Sequence, residues 1–201
     1  MILIVGRSGS GKDYLARELA KSGLSQVLSY TTRPPRRPDE NTHIFIKPEE
    51  SASYKDKIAP TEINGYEYFA TKQQMKNNDV YIVDPNGVFD LINGCPDISF
   101  LIVYVQADYQ LRLKKALDRV SLTDQEKRDE ALKIFVDRHR SEDKQFSGFE
   151  GVLQDRDLFD LFLSGHPNIE NVYVKKNDYD PQTLTDFATQ LLEECGFNRH
   201  S

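Results

Sequence analysis

Met1-Ile2-Leu3-Ile4-Val5-Gly6-Arg7-Ser8-Gly9-Ser10-Gly11-Lys12-Asp13 opens the chain, and every later stretch is read from it. A short run of β-formers leads into Gly6, four residues follow, and Gly11-Lys12 opens a segment with helical periodicity. Strand, loop and helix in that order make a phosphate-binding P-loop. Glycines at 6, 9 and 11 let the backbone curl with its N–H groups inward, and the helix adds the positive end of its dipole, so the loop forms an anion nest. In such a nest Lys12 reaches the β- and γ-phosphates of a nucleoside triphosphate, and Ser8 and Ser10 contribute hydroxyls. Gly6, Arg7, Ser8, Gly9, Ser10, Gly11, Lys12 and Asp13 are therefore the expected ATP-binding residues. The position after the lysine usually carries Ser or Thr, whose hydroxyl binds Mg²⁺. Asp13 stands there instead; a carboxylate is also a hard oxygen ligand, so the metal is kept at the cost of extra negative charge beside the phosphates.

Outward from the loop, Leu15, Ala16, Leu19 and Ala20 repeat at helical spacing, and Ser22-Gly23 ends the helix. Gln26-Val27-Leu28-Ser29-Tyr30 reads as a second strand. The next informative stretch is Ser29-Tyr30-Thr31-Thr32-Arg33-Pro34-Pro35-Arg36-Arg37-Pro38-Asp39-Glu40. Its three prolines exclude helix and central strand, while its hydroxyls and guanidiniums suit an anion, since Arg pairs bidentately with phosphate. Standing alone, a basic Pro-rich loop is as readily a solvated connector.

The loop does not stand alone. A P-loop followed by Ser-x-Thr-Thr-Arg-x-x-Arg resembles the guanylate kinase family, in which this second loop grips the phosphate of the nucleoside monophosphate. The resemblance is specific through residue 46 and looser beyond. By motif, Arg33 and Arg36 match the two phosphate-binding arginines, Ser29 matches a serine that contacts the acceptor nucleotide, and Asp39 falls where the family usually has a glutamate. His43-Ile44-Phe45-Ile46 resembles the family's Tyr-x-Phe-Val strand with His43 in place of a phosphate-binding tyrosine. A histidine hydrogen-bonds a phosphate and, if protonated, adds charge; it is equally at home as a satisfied strand residue.

Lys47 to Tyr54 reads as a short helix, and Thr61 to Thr71 as a β-hairpin turning at Asn64-Gly65. The resemblance implies that Glu62 reads the base: a carboxylate accepts the N1–H and N2–H₂ donors of guanine as a pair, which adenine does not offer. Phe69-Ala70-Thr71 occupies the family's Tyr-Gly-Ser/Thr triplet, so the tyrosine's role passes to Tyr68 or Tyr66, or is absent. Val80-Tyr81-Ile82-Val83-Asp84 is a buried-strand pattern ending in a carboxylate on the ligand side of a parallel sheet. Asp84 keeps the second of two family aspartates, and Ile82 replaces the first. Asp84 holds Mg²⁺ through water, contacts the acceptor, or simply caps the helix that follows. Asp13 and Asp84 are thus the expected metal residues.

Ser99 to Val105 is apolar enough for the centre of a parallel sheet. A helix from about Asp108 carries Arg112, Lys114, Lys115 and Arg119, and a second charged helix after Thr123-Asp124 runs to about Gln145 with Arg128, Arg138 and Arg140. In nucleotide kinases such a pair is the lid that brings arginines to the transferring phosphoryl group. Arg119 and Arg138 fit that role best by position, beside the alternative of a solvated charged face. Asn171 to Lys175 should be the last strand and Thr183 to Cys195 a closing amphipathic helix.

Composition narrows the partners. With 201 residues and a net charge of −6, the surface as a whole does not attract nucleic acid, yet Arg33, Arg36 and Arg37 concentrate positive charge as a small polyanion requires. No apolar run approaches the ~20 residues that span a bilayer, and Cys95 and Cys195 have no metal-type spacing. A cytoplasmic protein with reduced thiols is expected, binding small-molecule nucleotides with neither nucleic acid nor membrane, as a monomer or homodimer.

The expected fold is α/β: a three-layer P-loop NTPase core with a parallel sheet (1–31, 80–113, 146–201), a monophosphate-binding α/β insertion (32–79) and a helical lid (114–145). The resemblance implies transfer of the γ-phosphoryl of ATP to GMP or dGMP with Mg²⁺ as cofactor, and with Lys12, Arg33, Arg119 and Arg138 as catalytic residues. Gly-Lys-Asp also resembles some phage-type deoxynucleoside monophosphate kinases, which leaves other bases open. Guanylate-kinase-like modules that bind protein partners without turnover are the reading from another class.

Overall fold

The computed structural model describes residues 1–118, 120 and 124–196. In chain order the elements are β1 (Ile2–Val5), α1 (Lys12–Lys21), β2 (Tyr30–Thr31), β3 (Ile44–Phe45), α2 (Pro48–Ser51), β4 (Lys57–Ile63), β5 (Tyr66–Thr71), α3 (Lys72–Asn77), β6 (Val80–Ile82), α4 (Pro85–Gly94), β7 (Phe100–Gln106), α5 (Tyr109–Leu117), α6 (Gln125–Gln154), α7 (Arg156–Gly165), β8 (Ile169–Lys176) and α8 (Pro181–Glu194).

Four parallel strands in the order β6-β1-β7-β8 form the core sheet. Every residue of β1 is buried because both faces of the sheet are covered. On one face Leu3, Val5, Ile102 and Tyr104 meet Val88 and Leu91 of α4, Phe146 and Phe149 of α6, and Phe162 of α7. On the other, Ile2, Ile4, Val103 and Val105 meet Leu15 and Leu19 of α1 and Leu184, Phe187 and Leu191 of α8. Alternate strand residues feeding opposite clusters make three layers, as expected. Loops at the C-terminal ends of β1 and β6 then face the same side.

The strands between Tyr30 and Thr71 form a second four-stranded sheet in the order β3-β2-β5-β4. Its β4–β5 hairpin turns at Asn64 and Gly65, whose φ values of 53° and 76° supply the left-handed pair that such a tight turn requires. The strand expected over residues 26–30 is corrected. Val27 N–H donates to Val80 O (2.8 Å) and Gln26 makes an isolated bridge to Val80, but regular pairing starts only at Tyr30 and belongs to the second sheet. Ser25 is tied to Asp79 through N–H and Oγ (both 2.8 Å), so the chain touches the core sheet's edge and then leaves it.

The helix expected to stop near Gln145 runs on to Gln154. Its later half carries Phe146 and Phe149 into the core beside Tyr104, Phe89 and Phe162, and that burial is what keeps it helical. Asp155 then caps α7 by accepting from Leu158 N–H (3.0 Å). Thus α6 is at once a wall of the site and part of the core. Among the described residues no helix is long and apolar enough to cross a membrane.

Candidate active site

The loop from Gly6 to Lys12 is held in shape by close approach. A Cβ at Gly6 would lie 2.4 Å from Val105 O, and one at Gly11, where φ is 103°, would lie 2.4 Å from Asn177 Nδ2. Asn177, buried just after β8, donates from Nδ2 to Ser10 O (2.8 Å) and accepts Tyr179 N–H at Oδ1 (2.9 Å); Tyr179 Oη donates to Gly9 O. From the other side, buried Arg112 of α5 donates to Ser8 O (3.2 Å). Ser10 is buried, and its Oγ has no hydrogen-bond partner among the described residues.

Lys12 donates from Nζ to Arg7 O (3.0 Å), across the mouth of the loop. Burial pushes its ammonium down to about 8, opposed by the charges of Asp13 and Glu142 and assisted by Arg138 and Arg112. Ser8 N–H donates to Glu142 Oε1 of α6 (2.7 Å). Arg7, expected on phosphate, points elsewhere. Its Nε and Nη2 fork onto Glu150 (2.8 Å each) and its Nη1 meets Asp143, so acidic residues of α6 claim the guanidinium and only the Arg7 backbone serves the loop. Its pKa is held above the ordinary value, first by the bond to Glu150. Asp13 lies exposed in the first turn of α1.

The second loop is organised by one ion pair. Arg33, with its side chain 10% exposed, donates from Nη2 to Glu40 Oε1 (2.8 Å), from Nη1 to Glu40 Oε2 (3.3 Å) and Pro34 O (2.8 Å), and from Nε to Tyr68 Oη (3.1 Å). Glu40 also accepts Arg36 N–H (2.6 Å) and the Thr42 hydroxyl (2.9 Å), and these partners, Arg33 first, hold its carboxyl down to about 2. Asp39, where the family motif places a glutamate, instead lies 3.9 Å from Arg37 in solvent. The next residue does the organising. Arg36 is exposed, and its guanidinium opens on the cleft.

His43 packs edge-on against Tyr68 (5.4 Å between centroids) and Phe45 (6.2 Å), with its Nδ1 buried and unpartnered among the described residues. Burial, then the Arg33 charge, lowers its pKa, which disfavours the charged form that the sequence leaves open. Ser29 Oγ lies 3.2 Å from Tyr81 Oη, whose pKa burial raises to about 12. Glu62 is exposed on β4, with Thr61, Asn64 and Tyr66 beside it in the cleft. Asp84 Oδ1 caps α4 through Gly87 N–H (2.8 Å), so the capping role is filled by a carboxylate that also faces the cleft.

These groups line one cleft of about 930 Å³. Gly6, Ser8 and Lys12 of the first loop, Arg33, Arg36 and His43 of the second, Ser29, Glu62, Tyr68 and Asp84, and Arg138 of α6 all line it. Arg7, Gly9, Ser10, Gly11 and Asp13 are not among the residues that line it. Arg119 lies outside the described residues. Sequence reasoning missed Glu40, Tyr81 and Glu142 on or beside the cleft, and gave Asn177, Tyr179 and Arg112 no part in bracing the loop. Only Glu40, close to Arg33 in a basic loop, carried a local signal.

Comparison with known proteins places the fold. No family model and no curated protein sequence matches the chain. A crystal structure of guanylate kinase from Anaplasma phagocytophilum is similar at a TM-score of 0.52 and 14% identity, covering 98% of this chain and 87% of that one. A crystal structure of an uncharacterized protein from Eubacterium ventriosum ATCC 27560 is similar at 0.43 and 12%, covering 96% and 98%. The chain has an α/β fold of the P-loop NTPase kind, with the core architecture of its guanylate kinase neighbour.

Proposed function

We propose that the chain is an ATP-dependent nucleoside monophosphate kinase that transfers the γ-phosphoryl group of ATP to GMP or dGMP. One observation carries the reading: Lys12 of the glycine-rich loop, Arg33 and Arg36 of the second loop and Arg138 of α6 line a single cleft. Cations from two loops and a helix in one cleft suit a reaction between two phosphates.

The mechanism follows from what each residue is free to do. The loop's N–H groups and Lys12 hold the β- and γ-phosphates; ligand phosphates draw Lys12 away from Arg7 O and keep it charged. Arg33, locked by Glu40 and Tyr68, presents a fixed edge, while Arg36 closes on the acceptor phosphate from solvent. His43, on the cleft lining, offers a ring nitrogen to the same phosphate. Arg138 faces the charge that develops on the transferring group. The acceptor phosphate is already ionised near neutral pH, so no general base is required.

Asp84, on the cleft with Oδ2 outside its capping bond, fits Mg²⁺, which keeps several waters and needs one or two carboxylates besides phosphate oxygens; Asp13, the other expected ligand, does not line the cleft. Bound at Asp84, the metal would supply charge neutralisation. Glu62, exposed on the cleft, reads the base. The deciding experiment is a coupled ADP-release assay with ATP·Mg²⁺ against the eight common ribo- and deoxyribonucleoside monophosphates, with a no-acceptor control. GMP- or dGMP-dependent turnover, lost in Lys12→Ala, is expected; ATP binding without turnover on any acceptor would refute the kinase and favour a binding module.

A further inference from the structure

Glu142 occupies a donor that the loop would otherwise offer to an anion. Its Oε1 accepts Ser8 N–H (2.7 Å), while its Oε2 is buried with no hydrogen-bond partner among the described residues. Arg112 Nη1 stands 3.5 Å from that oxygen, with the two side chains only 3% and 12% exposed, and Arg112 Nε is likewise buried and unpartnered. A carboxylate buried this way is poorly satisfied, and structural economy does not explain it. Its neighbours on α6 explain how it is held: Asp143 and Glu150 grip Arg7 of the same loop, and Tyr104 Oη donates to Glu150. One turn before Glu142, Arg138 faces the cleft. A single helix therefore presents a cation to the cleft and an anion to the loop.

We propose that Glu142 is an internal competitor for the polyphosphate of the donor nucleotide, and so sets the donor's affinity. The inference rests on the reading of the loop as an ATP site. Triphosphate entering the loop meets a carboxylate already bonded to Ser8 N–H; the two like charges do not share the nest, so Glu142 withdraws, and Ser8 N–H and Arg112 pass to the ligand. Lys12, bonded to Arg7 O here, turns to the phosphates once they enter.

The test uses the full chain as wild type, Glu142→Gln and Glu142→Ala, with ATP, inorganic tripolyphosphate and adenosine titrated calorimetrically at one pH and ionic strength. Removing the negative charge is expected to tighten ATP and tripolyphosphate about tenfold or more, leave adenosine unchanged, and lower the KM for ATP without moving that for the acceptor. Glu142→Gln keeps the side chain's size and decides the matter if the alanine variant fails to fold. Wild-type binding of ATP with equal or weaker binding by Glu142→Gln would overturn the competitor and leave the kinase reading intact. Absence of ATP and tripolyphosphate binding in all three folded proteins would overturn the ATP site, and the competitor with it.

Discussion

Replacing Asn177 tests whether the Gly6–Lys12 loop is built by its own glycines or by what braces it. The side chain is 3% exposed and makes two hydrogen bonds, Nδ2–H to Ser10 O (2.8 Å) and Oδ1 from Tyr179 N–H (2.9 Å). Asn177→Ala removes both, at about 0.5–1.5 kcal/mol each, and leaves a void where the amide packed against Gly11, for a total of about 2–3 kcal/mol. In a domain of this size that corresponds to a fall in Tm of about 5–10 °C. Asn177→Asp keeps the shape and the acceptor for Tyr179 but turns a donor on Ser10 O into a carboxylate oxygen, so it should destabilise at least as much as alanine. Urea unfolding gives the stability, and steady-state kinetics give the consequence: the KM for ATP rises in both variants while that for the acceptor stays put. A loss below about 0.5 kcal/mol in both, the range of an ordinary surface substitution, would refute the bracing role.

Arg36→Ala should raise the acceptor KM about 10- to 100-fold with Tm unchanged, since its guanidinium is exposed; Arg33→Ala should lower both affinity and Tm, because it strands Glu40. Equal thermal effects in the two melts would contradict this division. Glu62→Gln should erode the preference for guanine over adenine without changing the KM for ATP, as read by the same ADP-release assay; an unchanged base ranking would remove Glu62 as reader. For pH, the Glu40 carboxyl titrates near 2 when folded against an ordinary value near 4.3. Its contribution is therefore complete above about pH 5 and is lost as pH falls through 4 toward 2. An NMR titration of the Glu40 carboxyl carbon with a midpoint above 4 would contradict the Arg33 pairing.

Much of the architecture is legible locally. The Gly6–Lys12 loop between a β-former run and an amphipathic helix, Asn64-Gly65 in its hairpin, and the apolar run of β7 each state their conformation within a few residues. Residues 26–30 misled because a strand pattern says nothing about which sheet takes it, and only Tyr30–Thr31 pairs, in the second sheet. The end of α6 was hidden for a related reason. Its charged first half looks like a lid, and what prolongs it is the burial of Phe146 and Phe149 under strands far away in the sequence.

The site divides in the same way. The sequence by itself determined that a glycine-rich strand-to-helix loop and an arginine-bearing loop exist, because glycine conformations, proline constraints and motif spacing act over short windows of chain. Only the tertiary structure decided which cations are free. Arg7 is taken by Glu150, 143 residues away, and Ser8 N–H by Glu142, 134 residues away, while Arg36 is left open beside an Arg33 that Glu40 has locked. Charge state and availability depend on what packing brings within a few ångströms, and that distance is set by the fold rather than by neighbours in the chain.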